Sequence, residues 1–352
     1  MREREHYIDI AKIIGIFLVI CGHYVYYLHI PMNENGIYLW NIAITITLFH
    51  MPLFYIISGY LYKTPESWIT LLKNIICRLL IPYILLCLSS TIIGLFIQLF
   101  FNERNIGEAI HELIHNIYGI ISGADFPHTR LFFSGPLWFV YSLIIIRIVY
   151  YAIERYVNDT LSTKLLVCIL CIGGLYLGNN LPFRLDSSIV GLLFFIIGDI
   201  GKDMIKKITQ LSIYSRIGVI VFSIMILIGC AYYNLDYKNG LGNSINEVAF
   251  GPYPLLFFVS GFSGSILILL VSSAFKIRCI KCIKILEKLS NANIVILGFH
   301  NLVMLNIYYL LGARTEWYIA LGICVITFVF CALLSDFFKK YLPSFVGWRS
   351  DY

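Results

Sequence analysis

The sequence predicts an all-α membrane protein, a polytopic bundle of about ten transmembrane helices. Of its 352 residues, 59% are hydrophobic and only 13% are charged, and the mean hydropathy is +0.82. The apolar residues form continuous runs long enough to cross a bilayer, whereas a membrane barrel shows ~10-residue stretches of alternating polarity. These observations exclude a soluble globular domain and favour helical spans.

Apolar runs separated by polar breaks predict ten spans. They cover residues 8–29, 38–62, 75–100, 137–152, 163–178, 188–201, 214–233, 253–275, 293–311 and 317–338. The first run is too long for the core of a cleavable signal, so we expect it to remain in the protein. No linker, repeat or low-complexity tract divides the chain, which predicts a single membrane-embedded domain over residues 1–352.

The basic residues predict the orientation of the bundle. With the amino terminus in the cytoplasm, lysines and arginines in the inside segments outnumber those outside by roughly four to one. Both termini are therefore expected in the cytoplasm, and the expected location is the cytoplasmic (inner) membrane. The net charge of +6 is interpreted as a topology signal, and no nucleic-acid partner is expected.

Two patterns raise the question of a metal ion. In the outside segment 101–136, His111 and His115 are four residues apart on the polar face of a predicted amphipathic helix. A basic inside loop carries Cys279-x-x-Cys282 without a second ligand pair nearby. A solvated helix face and a pair of loop thiols explain both patterns, so no metal is expected. The positions of the ten cysteines imply no disulfide framework.

The first predicted helix carries ionisable side chains where lipid is expected. At 100° per residue, Asp9, Lys12 and His23 fall in one stripe ~60° wide. His23 stands ~16 Å beyond Lys12 along the axis, toward the outer leaflet. An ionised group at the bilayer centre costs ~2.5–3.5 kcal/mol, so such residues indicate a functional path by default.

The second helix repeats this pattern with uncharged polar groups. Thr47, His50 and Ser58 fall within an arc of ~80°. Pro52 has no backbone N–H and leaves the carbonyl of Leu48 without its helical partner, so a kink is expected close to His50.

Three other predicted spans carry polar groups that have either a structural or a functional explanation. Arg78 and Pro82 are expected to open the third helix, where Arg78 either snorkels to lipid headgroups or binds a phosphate group. Trp138, near the start of the fourth, serves as an interface anchor or as a donor to a ligand. His300 lies in the ninth span beside Asn301, and an intramembrane histidine needs a polar partner.

Five of these segments resemble, in order, motifs of the acyltransferase 3 family of integral membrane acyltransferases. They are Asp9-Ile-Ala-Lys-Ile-Ile-Gly-Ile-Phe-Leu-Val-Ile-Cys-Gly-His23, Phe49-His-Met-Pro-Leu-Phe54 with Ile57-Ser-Gly-Tyr60, Arg78-Leu-Leu-Ile-Pro-Tyr83, Gly135-Pro-Leu-Trp-Phe139 and Phe194-Phe-Ile-Ile-Gly198. Each motif is short, but five in order on the expected helices make a specific signal.

The resemblance implies transfer of an acyl group, usually acetyl, from cytoplasmic acyl-CoA to a hydroxyl of an extracytoplasmic or lipid-linked glycan. The family's essential histidine corresponds to His23 and its acidic residue to Asp9. Its basic residue on the third helix corresponds to Arg78 and its tryptophan to Trp138. Lys12 stands where many members have arginine, which keeps the charge but loses the bidentate fork.

Residues and resemblance together predict the site. The candidates are His23, Asp9 and His50 for catalysis, Lys12, Arg78 and Lys73 for acyl-CoA, and Ser58, Trp138 and His300 for the substrate. His23 is the expected general base, because a neutral histidine suits proton removal from a hydroxyl near pH 7. His50, Ser58 or Trp138 is expected to donate to the thioester oxygen.

Several alternatives stay open at this stage. Direct transfer and an acyl-histidine relay predict the same residues. A transporter or flippase for a glycan or lipid-linked saccharide also predicts ionisable groups in a membrane path, although no paired halves with broken helices are visible. A sensor or scaffold would use the histidines structurally. The sequence gives no oligomeric state.

Overall fold

The chain folds into a bundle of α-helices, shown by the computed structural model. It describes residues 5–27, 34–101, 105–123, 133–157, 160–176, 181–234, 245–246, 248–277, 279–312 and 315–347. The α-helices in these ranges are α1 His6–Tyr27, α2 Glu34–Thr47, α3 His50–Tyr60, α4 Trp68–Ile75, α5 Ile81–Phe101, α6 Ile106–Ser122, α7 Trp138–Ala152, α8 Leu161–Gly174, α9 Leu185–Ile200, α10 Lys202–Thr209, α11 Ile213–Asn234, α12 Pro254–Ala274, α13 Ile280–Ser290, α14 Asn293–Leu311 and α15 Trp317–Tyr341. No strand occurs in the described ranges, which confirms the all-α prediction.

Within the described residues, seven helical segments are long and apolar enough to cross a membrane. They are His6–Tyr26, Gly36–Tyr60, Trp68–Phe100, Gly135–Val157, Ile213–Asn234, Pro254–Ala274 and Trp317–Tyr341. The other three predicted spans coincide with α8, α9 and α14, of which α8 and α9 have only 14 and 16 residues. A multi-pass helical membrane protein is therefore supported, while ten spans and the orientation stay predictions. Several outside basic residues that entered the orientation argument, such as Arg104, Arg130 and Lys238, lie outside the described residues.

The second predicted span is two helices, not one kinked helix. Helix α2 ends at Thr47, a turn follows at Leu48 and Phe49, and α3 begins at His50. Pro52 is the cause, because it cannot bond to the carbonyl four residues earlier and its ring collides with that carbonyl. The break places His50 at the first residue of a new helix, deep in the bundle.

The third predicted span begins earlier than expected. A continuous helical segment starts at Trp68 and passes through a π-helical turn, Ile76–Leu80, before it becomes α5. Arg78 therefore does not open a helix, as the sequence suggested, but lies within this turn. Pro82 explains the irregularity, since the carbonyl of Arg78 loses its α-helical donor at that position. A π turn of this kind is frequent at functional sites.

Helix α3 packs against α9 with almost no space between the two backbones. A Cβ atom on Gly59 would overlap the carbonyl oxygen of Phe195, and one on Gly198 would overlap that of Ile56. Small residues at such crossings let membrane helices approach closely. This contact fixes the direction of α3, and with it the position of His50.

Helix α1 lies at the centre of the bundle. It packs against α2, α3, α12, α13, α14 and α15. The stripe that carries Asp9 and His23 faces α13 and α14, two consecutive helices. The ionisable groups of α1 therefore point into protein rather than into lipid, as the cost of exposing them to lipid requires.

We predict that Gly59→Ala destabilises the protein. The new methyl group meets a backbone carbonyl, which no rotamer change relieves, so a cost of about 1–3 kcal/mol or more is expected. Thermal unfolding of detergent-purified protein should show a melting temperature lower by about 5 °C or more.

Gly218→Ala is the matched control, because a Cβ atom on Gly218 of α11 meets nothing within 4 Å. It should leave the melting temperature unchanged or raise it slightly. Equal melting temperatures for the two variants would contradict the close packing of α3 on α9.

Candidate functional site

Two intramembrane histidines form a hydrogen-bonded pair. The Nδ1 atom of His23 lies 2.8 Å from Nε2 of His300, and the two rings are nearly parallel, with an angle of 13° between them. His300 is fully buried, whereas His23 is only partly buried. The member that a ligand can reach is therefore His23.

The backbone determines where the protons of this pair lie. Nδ1 of His300 is 2.6 Å from the carbonyl oxygen of Ile296, one turn earlier in α14. A carbonyl oxygen only accepts, so this nitrogen carries the proton of the neutral ring and Nε2 is an acceptor. Nδ1–H of His23 then donates to it. The proton-accepting nitrogen of neutral His23 is consequently Nε2.

A fully buried amide adjoins this pair. Asn301 lies against the imidazole of His23, within hydrogen-bonding reach of it. Neither Nδ2 nor Oδ1 of Asn301 makes a hydrogen bond of normal geometry. A buried amide whose hydrogen bonds are incomplete costs about 1–3 kcal/mol, so a polar ligand at this position would be stabilising. On the sequence, Asn301 stands beside His300 and is not among the predicted site residues.

His50 belongs to the same region. It lies within electrostatic range of His23, and its ring is almost entirely buried. Its Nδ1 donates to the carbonyl oxygen of Ile46, 2.9 Å away, across the break between α2 and α3. In the neutral ring, Nε2 of His50 is therefore an acceptor, not a donor.

Asp9 stands well apart from the histidines. It precedes His23 by fourteen residues of one helix, or ~21 Å along the axis. Its buried carboxylate accepts a hydrogen bond of 2.6 Å from the hydroxyl of Ser290, at the end of α13. Lys12 follows one turn later, between the two levels. The structure thus ties the start of α1 to α13 through Asp9.

The predicted acyl-CoA residues Arg78 and Lys73 are exposed at the predicted cytoplasmic end. Lys73 lies in α4 and Arg78 in the π turn that follows it. Gly347 sits directly on this turn with φ +66, and a Cβ atom there would lie 2.9 Å from Cα of Arg78. The residues after α15 therefore help to shape the surroundings of Arg78.

A network of charged groups lies near this end of the bundle. Asp199 of α9 accepts hydrogen bonds from Lys164 at 2.8 Å, from Tyr150 and from Lys202. Glu154 accepts from the hydroxyl of Tyr62 at 2.9 Å. These contacts join α7, α8 and α9 to the segment after α3. The carboxylates of Asp199 and Glu154 both accept hydrogen bonds in this network.

Trp138 is held by an arginine. The guanidinium of Arg184 lies over its indole, 5.6 Å from the ring centroid, and donates to the backbone oxygen and the side-chain oxygen of Asn246 at 2.6 and 2.9 Å. Arg184 has a φ of +59, an unusual backbone conformation for a side chain of this size. The short 3-10 turn Gly135–Leu137 before Trp138 packs against α14.

Of the nine predicted site residues, the structure brings His23, His50 and His300 together. It places Asp9, Lys73 and Arg78 at the other end of the bundle. Ser58 lies in α3, about two turns from His50, and no described contact joins it to the histidines.

The two sequence patterns that raised the metal question are both described. Nε2 of His111 and Nε2 of His115 are 3.2 Å apart on α6, and all ten cysteines are free thiols. The backbone N–H of Cys282, together with its thiol, lowers the pKa of the exposed Cys279 thiol. Within the described residues, no group of three or more histidine, cysteine or acidic side chains could hold a metal ion.

We predict that Ser290→Ala destabilises the protein, because it removes a short hydrogen bond to the buried carboxylate of Asp9. The expected cost is about 1–3 kcal/mol, seen as a lower melting temperature in detergent. Ser273→Ala is the control, since the Ser273 hydroxyl bonds only within its own helix, to the Leu270 carbonyl. If both variants unfold alike, the Asp9 contact does not stabilise the bundle.

The chain matches a protein-family model over most of its length. The model, described as an acyltransferase domain and named for the acyltransferase 3 family, covers residues 5–336. This range includes every candidate residue discussed above. No curated protein and no solved structure gives a significant match.

Proposed function

Because the chain belongs to the acyltransferase 3 family, we propose that it is a membrane O-acyltransferase. It moves an acyl group, usually acetyl in proteins that share these motifs, from acyl-CoA on the cytoplasmic side to a hydroxyl group of an extracytoplasmic or lipid-linked glycan. The observation that carries this proposal is the His23–His300 pair, which holds a proton-accepting nitrogen at an accessible position inside the bundle.

His23 acts as the general base. Its Nε2 takes the proton of the acceptor hydroxyl as that oxygen attacks the thioester carbonyl carbon. The C–S bond then breaks, and the leaving CoA thiolate takes the proton from the His23 imidazolium. His300 is a positioning residue, because its Nε2 accepts from Nδ1–H of His23 and stabilises the imidazolium without touching the reacting atoms.

Asn301 provides the donor for the developing oxyanion. The thioester oxygen gains negative charge during the attack and needs a preorganised donor in a water-poor site. Nδ2 of Asn301 is buried, adjoins His23 and makes no hydrogen bond of normal geometry. His50 presents an acceptor nitrogen in its neutral form, so it suits a hydroxyl of the acceptor better than the oxyanion.

The donor enters from the predicted cytoplasmic end. CoA carries several phosphates, and the exposed Arg78 and Lys73 supply positive charge there. Lys12 lies between that end and His23 along α1, where it guides the acyl arm inward. Asp9 anchors this part of α1 to α13, so its role in the reaction is to position Lys12 and His23.

The acceptor enters from the opposite end. Trp138 and Arg184 form a stacked pair at the start of α7, and the turn before Trp138 packs on the helix of His300. An indole face of this kind suits a sugar ring. Ser58 of α3 contacts the substrate nearer the donor side.

The same proposal includes the cellular setting. A single membrane-embedded domain of about ten spans, with both termini in the cytoplasm, lies in the cytoplasmic (inner) membrane. A transporter of the same glycan is not favoured, because the family match points to an acyltransferase. Membrane lipids are the expected surroundings, and no metal takes part in the steps above.

We predict that His23→Ala abolishes acyl transfer. Loss of a general base typically lowers the rate by 10²–10⁴-fold. The measurement is glycan-dependent release of CoA by purified, reconstituted protein, with a crude cell-envelope glycan extract as acceptor and chromatography of the CoA product. The melting temperature and membrane abundance of the variant should match those of the wild type.

His111→Ala is the control for this experiment, since His111 is an exposed histidine of α6 away from the pair. It should retain full activity. A His23→Ala protein with most of its activity would remove His23 from the mechanism. Failure of well-folded wild type to release CoA from any common acyl-CoA would refute the acyltransferase proposal itself.

We also predict a difference between two substitutions of His300. In His300→Gln the side-chain oxygen reaches the position of Nε2 and still accepts from His23, whereas the shorter side chain in His300→Asn does not. Loss of the acceptor should lower kcat about 10²-fold or more with little change in KM, by analogy with the residue that orients a catalytic histidine in a triad. His300→Gln should recover at least part of that loss.

The kinetic comparison separates positioning from a role in substrate binding. If both His300 variants raise KM and leave kcat unchanged, His300 binds substrate, as the sequence first suggested. Similar kcat values for the Gln and Asn variants would show that the hydrogen bond to His23 does not matter.

A further inference from the structure

Arg147 is a cation inside a membrane helix that has no ion-pair partner among the described residues. It lies in α7, and its Nε atom is buried and makes no hydrogen bond. Among the residues that the structure describes, no carboxylate forms an ion pair with it. Arginine stays charged in proteins, so Arg147 cannot escape the cost of burial by losing its proton.

A second positive charge makes the burial of Arg147 less favourable. Helix α7 packs against the π turn that carries Arg78, and Arg78 lies within electrostatic range of Arg147. Two like charges beside each other repel, and the repulsion is strongest where water is excluded. The fold therefore concentrates positive charge at this point.

The neighbouring carboxylates are already used. Tyr62, which also lies within range of Arg147, donates to Glu154, and Lys164 is 3.9 Å from the same carboxylate. Asp199 is bonded to Lys164 and to Lys202. Glu154 and Asp199 thus balance the two lysines, and no carboxylate among the described residues neutralises Arg147.

A buried charge without a counterion is destabilising, and a bound ligand of opposite charge would remove that cost. The planar guanidinium fork matches the oxygens of a phosphate group, to which it can donate two parallel hydrogen bonds. Arg147 is largely buried and Arg78 is exposed, so the two could hold one phosphate from opposite sides.

We infer that Arg147 and Arg78 form one phosphate-binding site between α7 and the π turn. This inference rests on the proposed function, in which the phosphate belongs to the CoA part of the acyl donor. Arg147 is the deeper of the two contacts, and it anchors the nucleotide end while the acyl arm extends toward His23. The headgroup phosphate of an anionic lipid is the other source of the same chemistry, and the experiment separates them.

The test compares Arg147→Gln with Arg155→Gln. Arg155 is an exposed arginine in the π turn Ile153–Val157 directly after α7, so the change of charge is the same and lies on the same side. Binding of CoA, 3′-dephospho-CoA and inorganic pyrophosphate to detergent-purified full-length protein is measured by calorimetry. Arg147→Gln should weaken CoA binding about 10- to 100-fold, and Arg155→Gln less than about 3-fold.

Two further readouts exclude a merely structural role. Without ligand, Arg147→Gln should melt at the same or a higher temperature, because the substitution removes a buried unpaired charge. Arg147→Lys keeps the charge but loses the fork, so its affinity for CoA should fall between those of wild type and Arg147→Gln. A variant that melts much lower without ligand would indicate a structural arginine and overturn the inference.

The outcomes distinguish this inference from the proposed function. CoA binding that is strong in wild type and unchanged in Arg147→Gln overturns the phosphate site but leaves the acyltransferase intact. Pyrophosphate binding lost in Arg147→Gln, with no CoA binding by wild type, supports the anion site and refutes its assignment to CoA. Short-chain phosphatidylglycerol is added to the same calorimetry as a fourth ligand. If Arg147→Gln loses binding of this lipid alone, the site belongs to a lipid headgroup and the CoA assignment is overturned.

Discussion

The arrangement of this protein depends on one constraint, that polar groups within the hydrocarbon layer must be satisfied by the protein itself. The chain from the Ile296 carbonyl through His300 to His23 shows the consequence. In each of these two hydrogen bonds, one ring nitrogen must carry the proton because its partner can only accept. The backbone carbonyl of Ile296 therefore determines the neutral tautomers of both histidines. In water the same histidines would exchange partners freely. Inside the bundle, their order fixes which nitrogen of His23 is left to accept a proton.

Two prolines shape both ends of the proposed reaction path. Pro52 splits one span into α2 and α3 and places His50 at the break, where its ring bonds to a carbonyl of the preceding helix. Pro82 disturbs the hydrogen bonds around Arg78 and accompanies the π turn. In both cases a donor is missing from the backbone, and a side chain that matters for the proposal lies within one turn of the gap. Irregular backbone inside a membrane is tolerated where protein surrounds it.

Much of this arrangement could be predicted from local sequence. The polar stripe of α1, the disturbance at Pro52 and the three intramembrane histidines follow from periodicity and from the cost of polar groups in lipid. The pairing of His23 with His300 could not be predicted, because 277 residues separate them and only the packing of α1 on α14 brings them together. The lack of a counterion for Arg147 among the described residues could not be predicted either. In the sequence, Arg147 is one of several basic residues near the predicted cytoplasmic side. Its meaning depends on which carboxylates are already bound.

The position of Gly347 shows that residues after the matched range pack against the bundle. The family model ends at residue 336, yet the last described turn, Pro343–Val346, packs on α5 and Gly347 rests on the backbone of Arg78. The left-handed φ of Gly347 lets the chain approach that backbone, which a side chain would prevent. This tail, residues 343–347, thus packs directly against the π turn and α5. A change in the sequence of this tail would shift the backbone of Arg78 while every motif residue stayed the same, so the packing around Arg78 extends beyond the range that the family model matches.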